Sequence, residues 1–238
     1  MIPDSSAQQS FLRKHKKRQQ FIRLMRLAVF LVFLLLWEVS ARLGFIDSFI
    51  FGSPGQVCLA FRTLLLTNHL LSHIGITVFE TLASFFLVVG FSLFFSVLLW
   101  LCPRLAAILE PYLVVLNSLP KIALGPIIII WVGAGEKAIV TMAVLISVII
   151  TTISMLNGFI GTSPDKVLLL KTMNASKFQI FTKLVFPSNI PTLLSTLKIN
   201  VGLSWVGTIM GEYLNSKAGL GYLIVYGGQV FKLDLVMA

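Results

Sequence analysis

Charged residues are scarce in this sequence, which separates it from soluble proteins. Only 12% of its 238 residues are Asp, Glu, Lys or Arg, whereas a soluble domain carries about 25%. Hydrophobic residues make up 57%, and the mean hydropathy is +0.93. Several apolar runs exceed the ~20 residues that a helix needs to cross a bilayer, whereas strands of a membrane barrel are alternating segments of about 10 residues. We therefore predict an all-α integral membrane protein, a polytopic helix bundle.

Cysteine is also scarce, and no metal-binding pattern is present. Cys58 and Cys102 lie in apolar surroundings without metal-type spacing, so we expect free, buried thiols. His69 and His73 are four residues apart, as in helical zinc sites, but no Glu follows His69 and no third ligand is evident. Interfacial histidines are the simpler interpretation, and we predict no metal site.

The sequence lacks a phosphate-binding loop. Residues 133–137 read Gly-Ala-Gly-Glu-Lys, but the glycine spacing is wrong and no Ser or Thr follows the lysine. We therefore expect that the chain is not an enzyme and carries no cofactor of its own.

The net charge of +10 is concentrated at one end. Seven of the nineteen Lys and Arg residues lie between Arg13 and Arg26, just before the first apolar run. This is the pattern of the positive-inside rule, so the N-terminus is predicted to be cytoplasmic, next to anionic membrane lipid. Because no basic soluble face exists, nucleic acid is not an expected partner.

The apolar runs divide the chain into a tail, a first span, a loop and a core. We predict a basic cytoplasmic tail (1–23), a first transmembrane helix (24–44), an external loop with a short amphipathic helix (45–71), and a core transmembrane domain (72–238). Within the core, spans are expected near 74–100, 105–132, 138–159 and 189–213. The last residues resemble the start of another span. The count is five complete spans and a truncated sixth.

The third span is interrupted. Pro120, Gly125 and Pro126 break the helical pattern between residues 105 and 132. Broken backbone at membrane depth is tolerated only beside protein or a watery cavity. This span is therefore expected to bend beside a pathway, with Asn117, Pro120 and Pro126 as lining candidates.

Residues 163–187, which we name the amphipathic segment, are predicted to form two short cytoplasmic helices. Ser163 is placed to cap the first helix, and Asn174 to end it in a left-handed conformation. Ser176 and Gln179 form a capping box that starts the second helix, and Pro187 ends it.

The amphipathic segment carries an apolar stripe between four lysines. The stripe comprises Val167, Leu168, Leu170, Met173, Phe178, Phe181, Leu184 and Val185. One interpretation is a helix pair lying on the lipid surface. The other is docking into a protein groove. The apolar run 168–170 favours docking, because it covers more than one face of the helix.

Polar side chains recur on the fifth span at every fourth residue. They are Thr196, Asn200, Ser204, Thr208 and Glu212. Two interpretations stay open: hydrogen bonds between helices, helped by the small residues of a Gly-x-x-x-Gly motif at 207–211, or a polar lining for a substrate path. Lys198 and Glu80 are ionisable groups within spans, so each is a functional candidate or a member of a structural ion pair.

Short motifs occur from residue 37 onward in an order and spacing that resemble one known family. They are Trp37-Glu38, Ala41-Arg42 with Gly44, Ser53-Pro54, Pro120 and Pro126 with Trp131-Val132-Gly133, Thr172, Ala175-Ser176, Gln179-Ile180-Phe181, Pro187, Trp205, Glu212 and Gly219 to Ile224. In this arrangement the chain resembles the permease subunit of ATP-binding-cassette (ABC) importers, and most closely the nitrate/sulfonate/taurine-type branch.

The chain departs from that family within the amphipathic segment. Leu168-Leu169-Leu170 stands where Glu-Ala-Ala is usual, and Asn174 replaces a glycine. Asparagine preserves the turn geometry, but the lost glutamate removes a charge that pairs with an ATPase. The resemblance therefore implies a divergent or dedicated ATPase partner.

The resemblance implies a plasma-membrane permease for a small, anionic solute such as nitrate, a sulfonate or taurine. It implies a homodimer, separate ATPase subunits that hold ATP and Mg, and an external solute-binding protein. The alternatives are an ABC permease for a vitamin precursor or other heterocycle and, from another class, a secondary transporter, channel or membrane scaffold. The residues expected to couple to the ATPase are Leu168, Leu169, Leu170, Met173, Asn174, Ala175, Ser176, Phe178 and Gln179. Pathway candidates are Asn117, Pro120, Pro126, Lys198, Asn200, Ser204, Thr208 and Glu212.

Overall fold

The computed structural model describes residues 6–67 and 70–238, and every regular element in this part of the chain is helical. In chain order the helices are α1 (Ser6–Arg42), α2 (Ser48–Phe51), α3 (Pro54–Thr67), α4 (Leu70–Leu101), α5 (Pro103–Ser118), α6 (Gly125–Val132), α7 (Glu136–Ile160), α8 (Pro164–Thr172), α9 (Lys177–Ile180), α10 (Phe186–Ser188), α11 (Ile190–Asn215), α12 (Leu220–Gln229) and α13 (Leu233–Met237). The chain divides into two compact units, residues 1–68 with 227–238, and residues 69–226.

The first unit is organised around the end of α1. Glu38 accepts hydrogen bonds from Arg42 Nε at 2.7 Å and from the Gly55 backbone N–H at 3.0 Å, which ties the end of α1 to the start of α3. Asp47 caps α2 by accepting from the Phe49 N–H. Helix α1 runs from Ser6 to Arg42, so one continuous helix contains residues of both the predicted tail (1–23) and the predicted first span (24–44).

Three long helices, α4, α7 and α11, form the core of the second unit. Ser92 and Ser96 of α4 donate to the carbonyl oxygens of Val148 and Thr152 of α7, each at 3.1 Å, so these two helices run parallel. Helix α11 runs antiparallel to α7. A Cβ added at Gly207 would lie 2.6 Å from the Cα of Ala143, a separation that only glycine permits.

The interruption predicted in the third span is present. Helix α5 ends at Ser118, a 3₁₀ turn spans Lys121–Leu124, and α6 follows at 87° to α5. Pro120 precedes the 3₁₀ turn, and Pro126 occupies the first turn of α6, where a missing N–H costs no hydrogen bond.

Four helices are long and apolar enough to cross a membrane: α1 from His15 onward, α4, α7 and α11. The bent pair of α5 and α6 makes a fifth if it crosses as one span. The all-helical membrane fold is therefore confirmed, and the count of five complete spans and a truncated sixth stays a prediction.

Candidate functional site

The amphipathic segment folds largely as its local sequence predicts. Asn174 has a φ of 61°, so the left-handed end of the first helix is confirmed. The capping box is confirmed too: Ser176 Oγ accepts from the Gln179 N–H at 3.2 Å, and Gln179 Oε1 accepts from the Ser176 N–H at 2.8 Å.

Two details of that prediction are wrong. The Ser163 side chain makes no capping hydrogen bond, and α8 begins with Pro164, whose fixed φ suits the first helical position without one. Pro187 does not end the second helix. A π-helical turn over Phe181–Val185 follows α9, and α10 continues to Ser188, because a proline in the first turn of a new helical piece sacrifices no donor.

One face of the amphipathic segment packs inward. Ile180, Phe181 and Val185 are buried in a cluster with Met155 and Phe159 of α7. Four partly buried side chains of the segment pack against this cluster, namely Val167, Leu170, Ala175 and Phe186. Leu170 and Ala175, predicted as coupling residues, therefore support the segment from within.

Four other apolar side chains of the segment are exposed. Leu168 and Leu169 are each 61% exposed, Met173 is 71% exposed and Phe178 is 66% exposed. We name these four residues the docking face. The other predicted coupling residues, Asn174, Ser176 and Gln179, are exposed beside them, as are the four lysines of the segment (Lys166, Lys171, Lys177 and Lys183).

A cavity of about 910 Å³ lies directly behind α8. Residues of α4, α5, α7 and α8 line it, and its walls include Trp100, Leu156 and Phe159. Glu110 and Lys171 are among its polar lining groups. Helix α5, which forms one wall, buries none of its described side chains. Helix α8, which carries Leu168 and Leu169 of the docking face, therefore also bounds a space beside α5, and Leu168 itself lines that space.

The pathway candidates occupy two different environments. The polar ridge of α11 is buried: Asn200, Ser204 and Thr208 are 0% exposed, and Asn200 Oδ1 accepts from Thr151 Oγ1 of α7 at 3.4 Å. Asn117, Pro120, Pro126 and Lys198 are exposed. The ridge therefore packs between helices, while the other four candidates lie on exposed surface, and their place in a solute path stays a prediction.

A second polar arrangement holds the start of α12. His73 Nδ1 accepts from the Gly219 N–H at 2.9 Å, and Thr77 Oγ1 accepts from the Leu220 N–H at 2.9 Å. Thr77 also donates to Glu212 Oε1 at 2.6 Å, and Glu212 Oε2 accepts from the Gly221 N–H at 2.6 Å. We name His73, Thr77 and Glu212 the loop clamp. Three successive backbone donors at a helix start are thereby satisfied by side chains.

Glycine is required inside this clamp. Gly219 has a φ of +104°, and a Cβ there would lie 2.3 Å from the carboxyl carbon of Glu212. Sequence reasoning singled out Glu212 but missed the roles of His73 and Thr77. Their spacing of four residues, which places both on one face of α4, was the available signal.

Glu80 is 4% exposed and lies three residues after Thr77, the residue of α4 that donates to Glu212. Lys198 is exposed, and within the described part of the chain the one ion pair joins Arg42 to Glu38. The expectation of buried thiols is wrong, since Cys58, within α3, and Cys102, between α4 and α5, are both exposed. His69 lies outside the described residues, so the His69–His73 pair is not tested. No cluster of three or more His, Cys, Asp or Glu side chains suited to a metal occurs in the described ranges.

Comparison with known proteins gives consistent matches. Residues 89–238 match a family model described as the binding-protein-dependent transport system inner membrane component. A probable ABC transporter permease protein of Haemophilus influenzae is 31% identical over 220 residues, covering 91% of this chain and 88% of that protein. The formylaminopyrimidine transport permease protein ThiX of Halalkalibacterium halodurans is 32% identical, covering 81% of this chain and 76% of that protein. The putative aliphatic sulfonates transport permease protein SsuC of Bacillus subtilis is 24% identical, covering 100% and 85%.

Proposed function

Because this chain belongs to the family of binding-protein-dependent transport system inner membrane components, we propose that it is the pathway-forming subunit of an ATP-driven importer for a small anionic solute. In this proposal an external solute-binding protein delivers the solute, separate ATPase subunits bind ATP and Mg, and two copies of this chain enclose the path. The N-terminus and the amphipathic segment lie on the cytoplasmic side.

The observation that carries the proposal is the docking face. Leu168, Leu169, Met173 and Phe178 are all more than 60% exposed, on a segment whose other side is anchored in the α7 core. Exposed apolar side chains grouped on a rigid support mark a protein interaction site. The surrounding lysines support a cytoplasmic position for the segment by the positive-inside rule, where an ATPase is available.

The chemistry of the docking face constrains the partner. It presents leucine where the family usually presents glutamate. The matching surface of the ATPase is therefore an apolar groove without a basic residue to pair with a carboxylate. The exposed lysines at its edge favour acidic residues on the groove rim. A dedicated ATPase with this combination is the expected partner.

The proposed cargo is an anion such as a sulfonate, taurine or nitrate. Support comes from the sulfonate transport permease that aligns with the whole chain and from exposed Lys198 on α11, whose positive charge attracts anions. A second candidate cargo is a heterocycle, because the formylaminopyrimidine permease is 32% identical to this chain.

Co-purification with the ATPase tests the docking proposal. Replacing Leu169 and Met173 with aspartate in one variant puts two charges into the apolar contact, so we expect ATPase binding to fall at least about tenfold. Binding is measured by affinity capture of the detergent-solubilised complex.

The matched control is Phe45→Asp, which changes an exposed phenylalanine outside the amphipathic segment. This variant is expected to bind the ATPase as the unmodified chain does. Equal capture by the L169D/M173D variant and by the unmodified chain would rule out this face as the docking site.

A further inference from the structure

Two carboxyl groups meet inside the second unit. Glu80 of α4 is 4% exposed and Glu212 of α11 is 1% exposed. Thr77, three residues before Glu80 on α4, donates to Glu212 Oε1 at 2.6 Å, so both carboxyl groups lie at the same level of the seam between α4 and α11. Two neighbouring negative charges in a low-dielectric interior repel each other strongly. The pair therefore requires a compensating positive charge.

No basic side chain in the described part of the chain supplies that charge. The one ion pair in the described ranges joins Arg42 to Glu38, so neither carboxyl group has a basic partner there, and Glu136, the first residue of α7, adds a further acidic group near Glu80. His73, the basic residue of the loop clamp, uses Nδ1 to accept from Gly219, so this nitrogen carries no proton. The compensating charge must come from solution.

Three buried oxygen atoms without partners lie on the two helices that carry the carboxyl pair. Glu80 Oε2, Thr81 Oγ1 and Thr208 Oγ1 are buried and make no hydrogen bond within the described residues. Thr81 follows Thr77 by one helical turn, and Thr208 precedes Glu212 by one turn. Because Thr77 bonds Glu212 and the two helices run antiparallel, Thr81 and Thr208 lie on adjoining turns of the same seam.

We propose that the seam between Glu80 and Glu212 is a binding site for one monovalent cation, with Thr81 and Thr208 as further oxygen ligands. Carboxylate and hydroxyl oxygens suit a hard cation. A sodium ion would take all four of these residues as ligands, whereas a proton would be shared between the two carboxyl groups alone. Both provide the single positive charge, and the experiment distinguishes them. Since Glu212 also holds Thr77 and the Gly221 N–H, the bound cation stabilises the loop clamp and the start of α12.

The thermal unfolding midpoint of the full chain in lipid nanodiscs tests this site. It is measured in sodium chloride and in choline chloride of equal ionic strength, at neutral and at alkaline pH. A cation that binds only the folded state stabilises it by mass action. For the unmodified chain we expect sodium to raise the midpoint by about 3 °C or more. Glu80→Gln, which removes one charge and keeps the shape, abolishes this response.

The outcomes identify the bound cation as sodium or a proton, or overturn the site. If sodium has no effect, but alkaline pH lowers the midpoint of the unmodified chain and not that of E80Q, the bound cation is a proton. If sodium acts, Thr208→Val raises the sodium concentration for half the effect by about tenfold, since one ligand is lost. Glu110→Gln, a change at an exposed carboxylate of α5, keeps the unmodified response.

The proposal is overturned if the unmodified chain and E80Q respond identically to sodium and to alkaline pH. If E80Q does not fold, an unmodified chain whose midpoint is unchanged under both conditions overturns it equally.

Discussion

At the scale of single residues, short-range chemistry was predictable from the sequence and long-range chemistry was not. Asn174 and the Ser176–Gln179 capping box follow from contacts within three residues, and both are present. The bond between His73 and Gly219 joins positions 146 residues apart. Its pairing depends on how α4 and α11 pack, which no local pattern encodes.

The loop clamp gives a prediction at this scale. Gly219→Ala places a Cβ against the Glu212 carboxyl group and forces a left-handed φ on alanine, so we expect a loss of about 2 kcal/mol or more in unfolding free energy. Thermal unfolding of the purified chain measures it.

Gly90→Ala is the control, because a Cβ at Gly90 meets no atom within 4 Å and alanine favours helix. If the G219A and G90A variants unfold at the same temperature, the loop clamp does not require glycine at position 219 and the prediction is wrong.

At the scale of helices, composition identified the elements, and packing assigned their faces. The polar ridge of α11 had two possible roles in the sequence, and the structure places Asn200, Ser204 and Thr208 between helices. The pattern of the ridge alone could not distinguish these roles, because polar residues at every fourth position suit a water-filled path and an interhelical seam equally well. The Gly-x-x-x-Gly motif was the better guide, since Gly207 and Gly211 both contact α7.

Close packing of α7 and α11 leads to a prediction at this scale. Gly207→Ala puts a methyl group 2.6 Å from the Ala143 Cα, so the helices must separate, at a cost of about 1 to 3 kcal/mol. Unfolding midpoints in lipid nanodiscs report the loss.

Gly202→Ala on the same helix serves as the comparison, since its Cβ would meet no atom within 4 Å. A G207A variant as stable as G202A would contradict this packing.

At the scale of the whole molecule, the scarcity of charge and the motif order were sufficient to predict a helical membrane permease, and the family match supports that class. The solute could not be predicted, because no side-chain pattern in the chain specifies one chemistry over another. The partner's shape could not be predicted either, although the substitution of leucine for glutamate at positions 168–170 constrains its groove.

ATP-dependent uptake into proteoliposomes tests the central claim most directly. The chain is reconstituted with its ATPase and solute-binding protein, and uptake of a radiolabelled sulfonate is compared with that of a pyrimidine. The account predicts uptake that requires ATP and the binding protein, favours the sulfonate, and is lost in the L169D/M173D variant while F45D retains it. Uptake by the chain alone, independent of ATP, would contradict the account.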